Sequence, residues 1–218
     1  MTLARPRALL FDWDNTLVDT WGAIQHALNV TLEAMGHEPW TLDETRARVR
    51  KSAREAFPAL FGARAEEAAK IFYGTFERDH LESLRARAGA GRMLQDLAAE
   101  DRYYLAVVSN KRGDLLRREA AHLGWDPFFD RLVGANDAAR DKPAVEAVEL
   151  ALGDSRLAPG PDVWFVGDTD IDMVCAHRAG CLPVLLRPEP PARGEFGGSA
   201  PRLHVSDCAH LLETVGAF

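Results

Sequence analysis

Two carboxylates stand two residues apart where an apolar run stops. Ala8-Leu9-Leu10-Phe11 gives way to Asp12-Trp13-Asp14-Asn15-Thr16. The run is continuous rather than alternating, which is the pattern of a strand buried on both faces. Side chains alternate along a strand with a period of two, so Asp12 and Asp14 are expected to point the same way at its carboxyl end. Neighbouring carboxylates repel unless a cation or a shared proton intervenes. Such a pair suits a site that holds Mg²⁺ and keeps one carboxylate as nucleophile and the other as acid or base. The competing reading is a helix cap, because Asp, Asn and Thr all cap well.

Three further strand ends carry polar residues. Tyr104–Val108 runs into Ser109-Asn110-Lys111, where the Ser109 hydroxyl and the N–H groups after it could hold phosphoryl oxygens or simply cap the next helix. Lys142 lies in Asp141-Lys142-Pro143, ahead of a helix expected to carry Pro143 at its first position. It is a solvated lysine unless that helix brings it to the carboxylates. Val163–Val166 leads into Gly167-Asp168-Thr169-Asp170-Ile171-Asp172. Gly167 allows a sharp turn, Asp168 then stands at the strand end, and Asp172 one helical turn on can face the same site. A calcium-binding EF-hand loop does not fit, since Met173 and Ala179 occupy positions that need Gly and Glu.

The elements that must position these residues follow from periodicity. Strands are expected at 104–108, 131–134, 163–166, 182–186 and 203–205, with helices near 92–100, 113–123, 144–152, 170–179 and 207–214. This alternation predicts an α/β fold: a doubly wound, Rossmann-like parallel sheet that binds ligands at the carboxyl ends of its strands. Residues 18–85 break the alternation and read as an all-helical block. Its first helix carries Trp21, Ile24, Leu28 and Leu32 on one stripe, a Thr41–Glu44 capping box opens a second that runs to about Ala56, and a third covers Ala65 to about Leu84. Arg46, Arg50 and Arg54 recur every four residues on the second helix. They share a face that either is solvated or binds a second anionic group of a substrate. The Pro- and Gly-rich stretch 187–202 reads as an irregular surface loop with freedom to move.

Spacing ties the polar strand ends together. Ser109 to Lys142 is 33 residues and Lys142 to Asp168 is 26, close to a strand-helix repeat of about 30. Asp12 to Ser109 is 97, and removing the 68 residues of 18–85 leaves 29. The domains expected are therefore an α/β core of 1–17 and 86–218, and a helical cap of 18–85 that overhangs the active face.

A net charge of −7 argues against a nonspecific grip on nucleic acid. No apolar run approaches the length of a membrane span, and Cys175, Cys181 and Cys208 match no zinc or redox spacing. The expectation is a cytoplasmic protein with reduced thiols, monomeric or homodimeric, acting on a small molecule. Only four lysines are present, Lys51, Lys70, Lys111 and Lys142, so each is worth placing individually.

Asp12-Trp13-Asp14-Asn15-Thr16, Ser109-Asn110, Lys142-Pro143 and Gly167-Asp168 with Asp172 resemble, in order, the four motifs of the haloacid dehalogenase superfamily, and the likeness covers essentially the whole chain. It is similar above all to the phosphoglycolate phosphatase-like branch with a helical cap. The resemblance implies a Mg²⁺-dependent phosphatase acting on a phosphorylated metabolite such as phosphoglycolate or a sugar phosphate. It implies Asp12 as the residue phosphorylated and Asp14 as acid and base. Mg²⁺ would be held by Asp12, the Asp14 carbonyl and Asp168, with Asp172 helping directly or through water. Ser109 and Asn110 would hold the phosphoryl oxygens and Lys142 would neutralise charge. The arginine row, read from its own spacing, offers Arg50 and Arg54 as contacts to a second anionic group of the substrate.

Two positions depart from the common pattern: Asn15 replaces a frequent Gly, and Ser109 a frequent Thr. Asn tolerates a left-handed turn and Ser keeps the hydroxyl. The dehalogenase members lack a counterpart of Asp14, which argues for phosphate esters. A phosphomutase of the same superfamily is the alternative enzyme. A phosphorylated receiver domain is the non-enzyme alternative, opposed by Asp14 and by the long insertion.

Overall fold

A computed structural model describes residues 3–153 and 155–218. The chain divides into two compact units, one made of the stretch through Val18 with Ala86–Phe218, the other of Asp19–Arg85.

The first unit is built on a six-stranded sheet. Its strands are β1 (Ala8–Phe11), β4 (Tyr104–Arg112), β5 (Arg131–Ala135), β6 (Val163–Gly167), β7 (Leu182–Leu186) and β8 (Leu203–Val205). They lie in the order β5-β4-β1-β6-β7-β8, and every neighbouring pair is parallel. The chain fills one side of β1 with β4 and β5, then crosses to the other side with β6, β7 and β8. The order therefore reverses beside β1, which makes the carboxyl ends of β1 and β6 the place where a ligand crevice forms.

All four residues of β1 are fully buried, as a central strand covered on both faces requires. Ala8 and Leu10, with Ala106, Val108, Val163 and Phe165 of the flanking strands, pack against α7 (Glu146–Leu152) and α8 (Asp170–Ala179). Strand alternation turns Leu9 and Phe11 to the opposite face. Three helices complete this unit: α5 (Ala90–Ala99), α6 (Gly113–Leu123) and α9 (Cys208–Gly216). Cys175, Cys181 and Cys208 are buried and unbridged, and burial raises the Cys175 thiol to about 12.

The second unit holds α1 (Trp21–Ala34), α2 (Leu42–Arg48), α3 (Ala53–Phe61) and α4 (Ala65–Ser83). Leu28, Leu32, Met35, Phe57, Phe61 and Ala68 form its core. Short strands β2 (Val18–Asp19) and β3 (Arg85–Ala86) pair where the chain passes between the units, so the expected purely helical span 18–85 has strand at both ends. The Thr41–Glu44 capping box forms.

The single helix expected from Thr41 to Ala56 is two helices. Val49 turns extended, and the carbonyl of the buried Ser52 restarts the helix by accepting from the N–H groups of Glu55 and Ala56. Arg46, Arg50 and Arg54 consequently do not lie on one helix face: Arg46 is on α2, Arg50 in the connection and Arg54 on α3, all exposed. The helix after Lys142 also starts late. A turn closed by the Ala144 N–H on the Asp141 carbonyl precedes it, so Pro143 is not its first residue.

The 187–202 stretch is irregular but pinned. Arg187 bridges both oxygens of Glu195, at 2.8 and 2.7 Å, and Phe196 is buried against Met173 and Leu185. Among the described residues, no helix is long and apolar enough to cross a membrane.

Candidate active site

The β1 ladder continues one step past Phe11, with the Asp12 N–H donating to the Val166 carbonyl at 2.8 Å. This fixes Asp12 at the mouth of the β1/β6 crevice. Asn15 then takes a left-handed φ of 63°, and the Asn15 N–H closes the turn onto the Val18 carbonyl.

Lys142 projects into this crevice from the β5–α7 connection. Its ammonium donates to Asp12 Oδ1 at 2.6 Å and to Asp172 Oδ1 at 2.7 Å, and the side chain is only 3% exposed. Asp172 uses its other oxygen to accept from the N–H and hydroxyl of Thr169, at 3.0 and 2.8 Å, which anchors it to the first turn of α8. The Thr16 hydroxyl reaches Asp168 Oδ1 at 3.1 Å and, more weakly, Asp12 Oδ2 at 3.4 Å.

Gly167 serves this arrangement differently from the sharp turn expected of it. Its φ is not positive; instead, a Cβ there would overlap the Asp172 carboxyl group. Glycine is needed for close approach, not for a special backbone conformation.

Asp12, Asp168 and Asp172 each offer a carboxylate oxygen, all within 4.8 Å of one another. Burial pushes the Asp12 carboxyl up to about 7, with the charges of Asp172 and Asp14 adding to the rise and Lys142 opposing it. Asp168 is also raised, by burial and then by the charges of Asp172 and Asp12. Burial alone would lower Lys142, but Asp12 and Asp172 hold it above its ordinary value. One ammonium thus faces three crowded carboxyl groups. A set of hard oxygen donors short of positive charge suits a divalent cation.

Asp14 does not join this cluster. Its carboxylate lies 2.7 Å from Lys111 Nζ instead, so the two aspartates of the first motif are paired with different lysines. Past the strand end Asp14 is bridge-paired with Val18, in the turn that Asn15 closes. The Asp14 carboxylate is not one of the oxygens that gather within 4.8 Å at Asp12, Asp168 and Asp172.

Ser109 and Asn110 differ in part from expectation. β4 continues to Arg112, and α6 begins only at Gly113, so Ser109 is not at a helix start. Its hydroxyl accepts the Lys111 N–H at 3.1 Å. The Asn110 side-chain amide donates to the Lys142 carbonyl at 3.1 Å and so holds the segment that carries Lys142.

Sequence reasoning singled out Lys111 as one of four lysines but gave it no role, and it missed Glu119. Glu119 is fully buried, accepts two bonds from Lys111 at 2.8 and 2.7 Å and one from Trp13 Nε1 at 2.7 Å. A signal was there: Glu119 is an acid on the buried stripe of α6 with Leu115, Leu116 and Ala120.

A profile of the haloacid dehalogenase-like hydrolases matches residues 9–185. The chain is 29% identical over 189 residues to a phosphoglycolate phosphatase of Rhodobacter capsulatus, covering 84% of each. It is 32% identical over 177 residues to the pyrophosphatase PpaX of Listeria welshimeri, covering 80% of each. Among solved structures, a haloacid dehalogenase-like family protein of Streptococcus pneumoniae shares the fold with a TM-score of 0.83 at 21% identity, covering 96% of this chain and 98% of that one. A superfamily hydrolase of Ehrlichia chaffeensis gives 0.66 at 28% identity, covering 99% and 98%. The chain belongs to the haloacid dehalogenase-like hydrolases.

Proposed function

We propose that this hydrolase is a Mg²⁺-dependent phosphatase that cleaves a small-molecule phosphate monoester through a phosphorylated Asp12. The observation that carries the reading is the meeting of Asp12, Asp168, Asp172 and Lys142 at the reversal point of the sheet, with the Asp14 carboxylate held apart on Lys111. Asp12, Asp168 and the Asp14 carbonyl are the groups that would hold Mg²⁺. Asp172, whose carboxylate lies within the same 4.8 Å set, would help directly or through a water. Bound there, the ion supplies charge neutralisation for the phosphoryl oxygens.

In the first step an Asp12 carboxylate oxygen attacks phosphorus and the bond from phosphorus to the ester oxygen breaks. Asp14, as the acid, gives its proton to that oxygen, and the alcohol leaves. In the second step Asp14, now a carboxylate, takes a proton from water while the water oxygen attacks phosphorus. The bond from phosphorus to Asp12 breaks, which restores the carboxylate and releases inorganic phosphate. Lys142 keeps Asp12 oriented and balances charge, and Ser109 with the Asn110 N–H binds the phosphoryl oxygens.

The Asp19–Arg85 unit is the substrate-selecting cap, and Arg50 and Arg54 are its contacts to an anionic tail. The relatives named phosphoglycolate phosphatase and pyrophosphatase favour hydrolysis over a mutase reaction and point to small, highly anionic substrates. The test is phosphate release in Mg²⁺ from a panel including phosphoglycolate, sugar phosphates and pyrophosphate, with Asp12→Asn as control. The reading expects release from at least one small anionic ester and none from the variant. Isomerisation dependent on a bisphosphate activator, without phosphate release, would replace it with a mutase.

A further inference from the structure

We propose that Lys111, braced by Glu119 and Trp13, is a positioning residue that fixes the Asp14 carboxylate for proton transfer. The inference rests on the reading of Asp14 as acid and base. Lys111 Nζ sits 2.7 Å from Asp14 Oδ1, and 2.8 and 2.7 Å from the two Glu119 oxygens. The Lys111 and Glu119 side chains are 4% and 0% exposed, whereas Asp14 keeps 20%. The buried ends of the network are therefore anchors, and its accessible end is the carboxylate that must meet substrate and water.

Glu119 makes the brace double. It holds the ammonium that holds Asp14, and it accepts 2.7 Å from the indole N–H of Trp13, the residue between Asp12 and Asp14. Trp13 is itself buried edge-on to Trp125 and Phe129, with ring centroids 5.8 and 6.4 Å away. Asp14 lies in the turn after β1, where a single β-bridge to Val18 holds its backbone and no helix or longer strand contains it. Proton transfer needs the donor within hydrogen-bond reach of the leaving oxygen, and a small misplacement is costly in rate.

Packing alone does not call for this arrangement. An apolar residue at 119 would complete the buried stripe of α6, whereas buried charges destabilise unless geometry and hydrogen bonding compensate. Lys142 already serves the Asp12 cluster. The second buried lysine is spent on Asp14.

The test separates positioning from folding by leaving group. An alkyl phosphate needs a proton delivered to its departing oxygen; 2,4-dinitrophenyl phosphate does not. The variant is Lys111→Met/Glu119→Leu, which removes both charges together. Glu119→Gln, keeping the side-chain size, is the second. With Mg²⁺ present, alcohol release from the alkyl ester in the first turnover is expected to slow about ten- to a hundredfold, with KM little changed. The dinitrophenolate burst should stay within about threefold of the parent, because that step needs no acid. Glu119→Gln should show the same selectivity at smaller size. Equal losses on both esters, or none on either, would overturn the proposal.

Asp14→Asn is run in parallel. If it shows the leaving-group selectivity and the Lys111 variant does not, the positioning role alone is wrong. If Asp14→Asn lacks it, the acid–base reading is wrong and the proposal falls with it.

Discussion

Asp12 and Asp14, two residues apart, are held by different lysines: Asp12 Oδ1 lies 2.6 Å from Lys142 Nζ, and Asp14 Oδ1 lies 2.7 Å from Lys111 Nζ. The pair is thus divided into a carboxylate inside an acidic cluster and a carboxylate beside it. That division suits two different chemical tasks.

Lys142→Met tests the first half of this arrangement. Removing the ammonium leaves Asp12 and Asp172 buried without their cationic partner, and breaking a buried pair in this way costs about 3–5 kcal/mol. Chemical denaturation of the metal-free protein should show a loss of that order, and phosphate release should fall by at least about a hundredfold. Unchanged stability would mean that the three residues are not a coupled buried cluster.

Metal and pH should act on stability together. Asp12 rests at about 7 when folded, above its ordinary 3.8, and Asp168 is displaced in the same direction. The folded state then holds protons that the unfolded state has lost, so stability falls as pH rises from about 4 to about 7. Lys142, raised rather than lowered, stays charged across that window and does not mask the effect. In chelator the melting temperature should drop between pH 5 and 7.5. Excess Mg²⁺ should restore it by binding the ionised carboxylates. A flat profile in chelator, or no response to Mg²⁺ at pH 7.5, would contradict the reading of the cluster.

Gly167→Ala is expected to disable the enzyme although the backbone there is ordinary. Its Cβ would collide with Asp172, which must move away from Lys142 and Thr169. Activity should fall by at least about tenfold and the melting temperature should drop, since overpacking a tight site costs about 1–3 kcal/mol. Wild-type behaviour would show that Asp172 can move without consequence.

The architecture was largely legible. A buried run ending in two aspartates, and polar strand ends at near-regular spacing, led to the parallel sheet and to four residues that do converge: Asp12, Lys142, Asp168 and Asp172. What stayed hidden was tertiary. Charges recurring every four residues look the same whether or not Val49 leaves the helix, and only the burial of Ser52 reveals the break. The Lys111–Glu119 pair joins a strand end to the second turn of a helix, a separation at which neither residue type signals the other. The salt bridge of Asp14 to Lys111 was equally hidden, because Lys111 lies on a strand 97 residues away.

Arg50 and Arg54 carry the specificity expectation in a changed form. They no longer form one face, so each is tested singly. If either grips the tail of a substrate, replacement by Ala should raise KM for phosphoglycolate or pyrophosphate about ten- to a hundredfold while leaving an aryl phosphate nearly unaffected. Equal effects on both substrates would assign the arginines to the surface.

The nucleophile itself can be observed. Rapid quenching during turnover with Mg²⁺ and a cleaved ester, followed by borohydride, reduces an acyl phosphate and marks its carboxylate by a mass change. The account expects the mark on the peptide containing Asp12, at that residue, dependent on substrate and absent in Asp12→Asn. Steady phosphate release with no reducible acyl phosphate on Asp12, or with the mark on Asp14 or Asp168 instead, would contradict it.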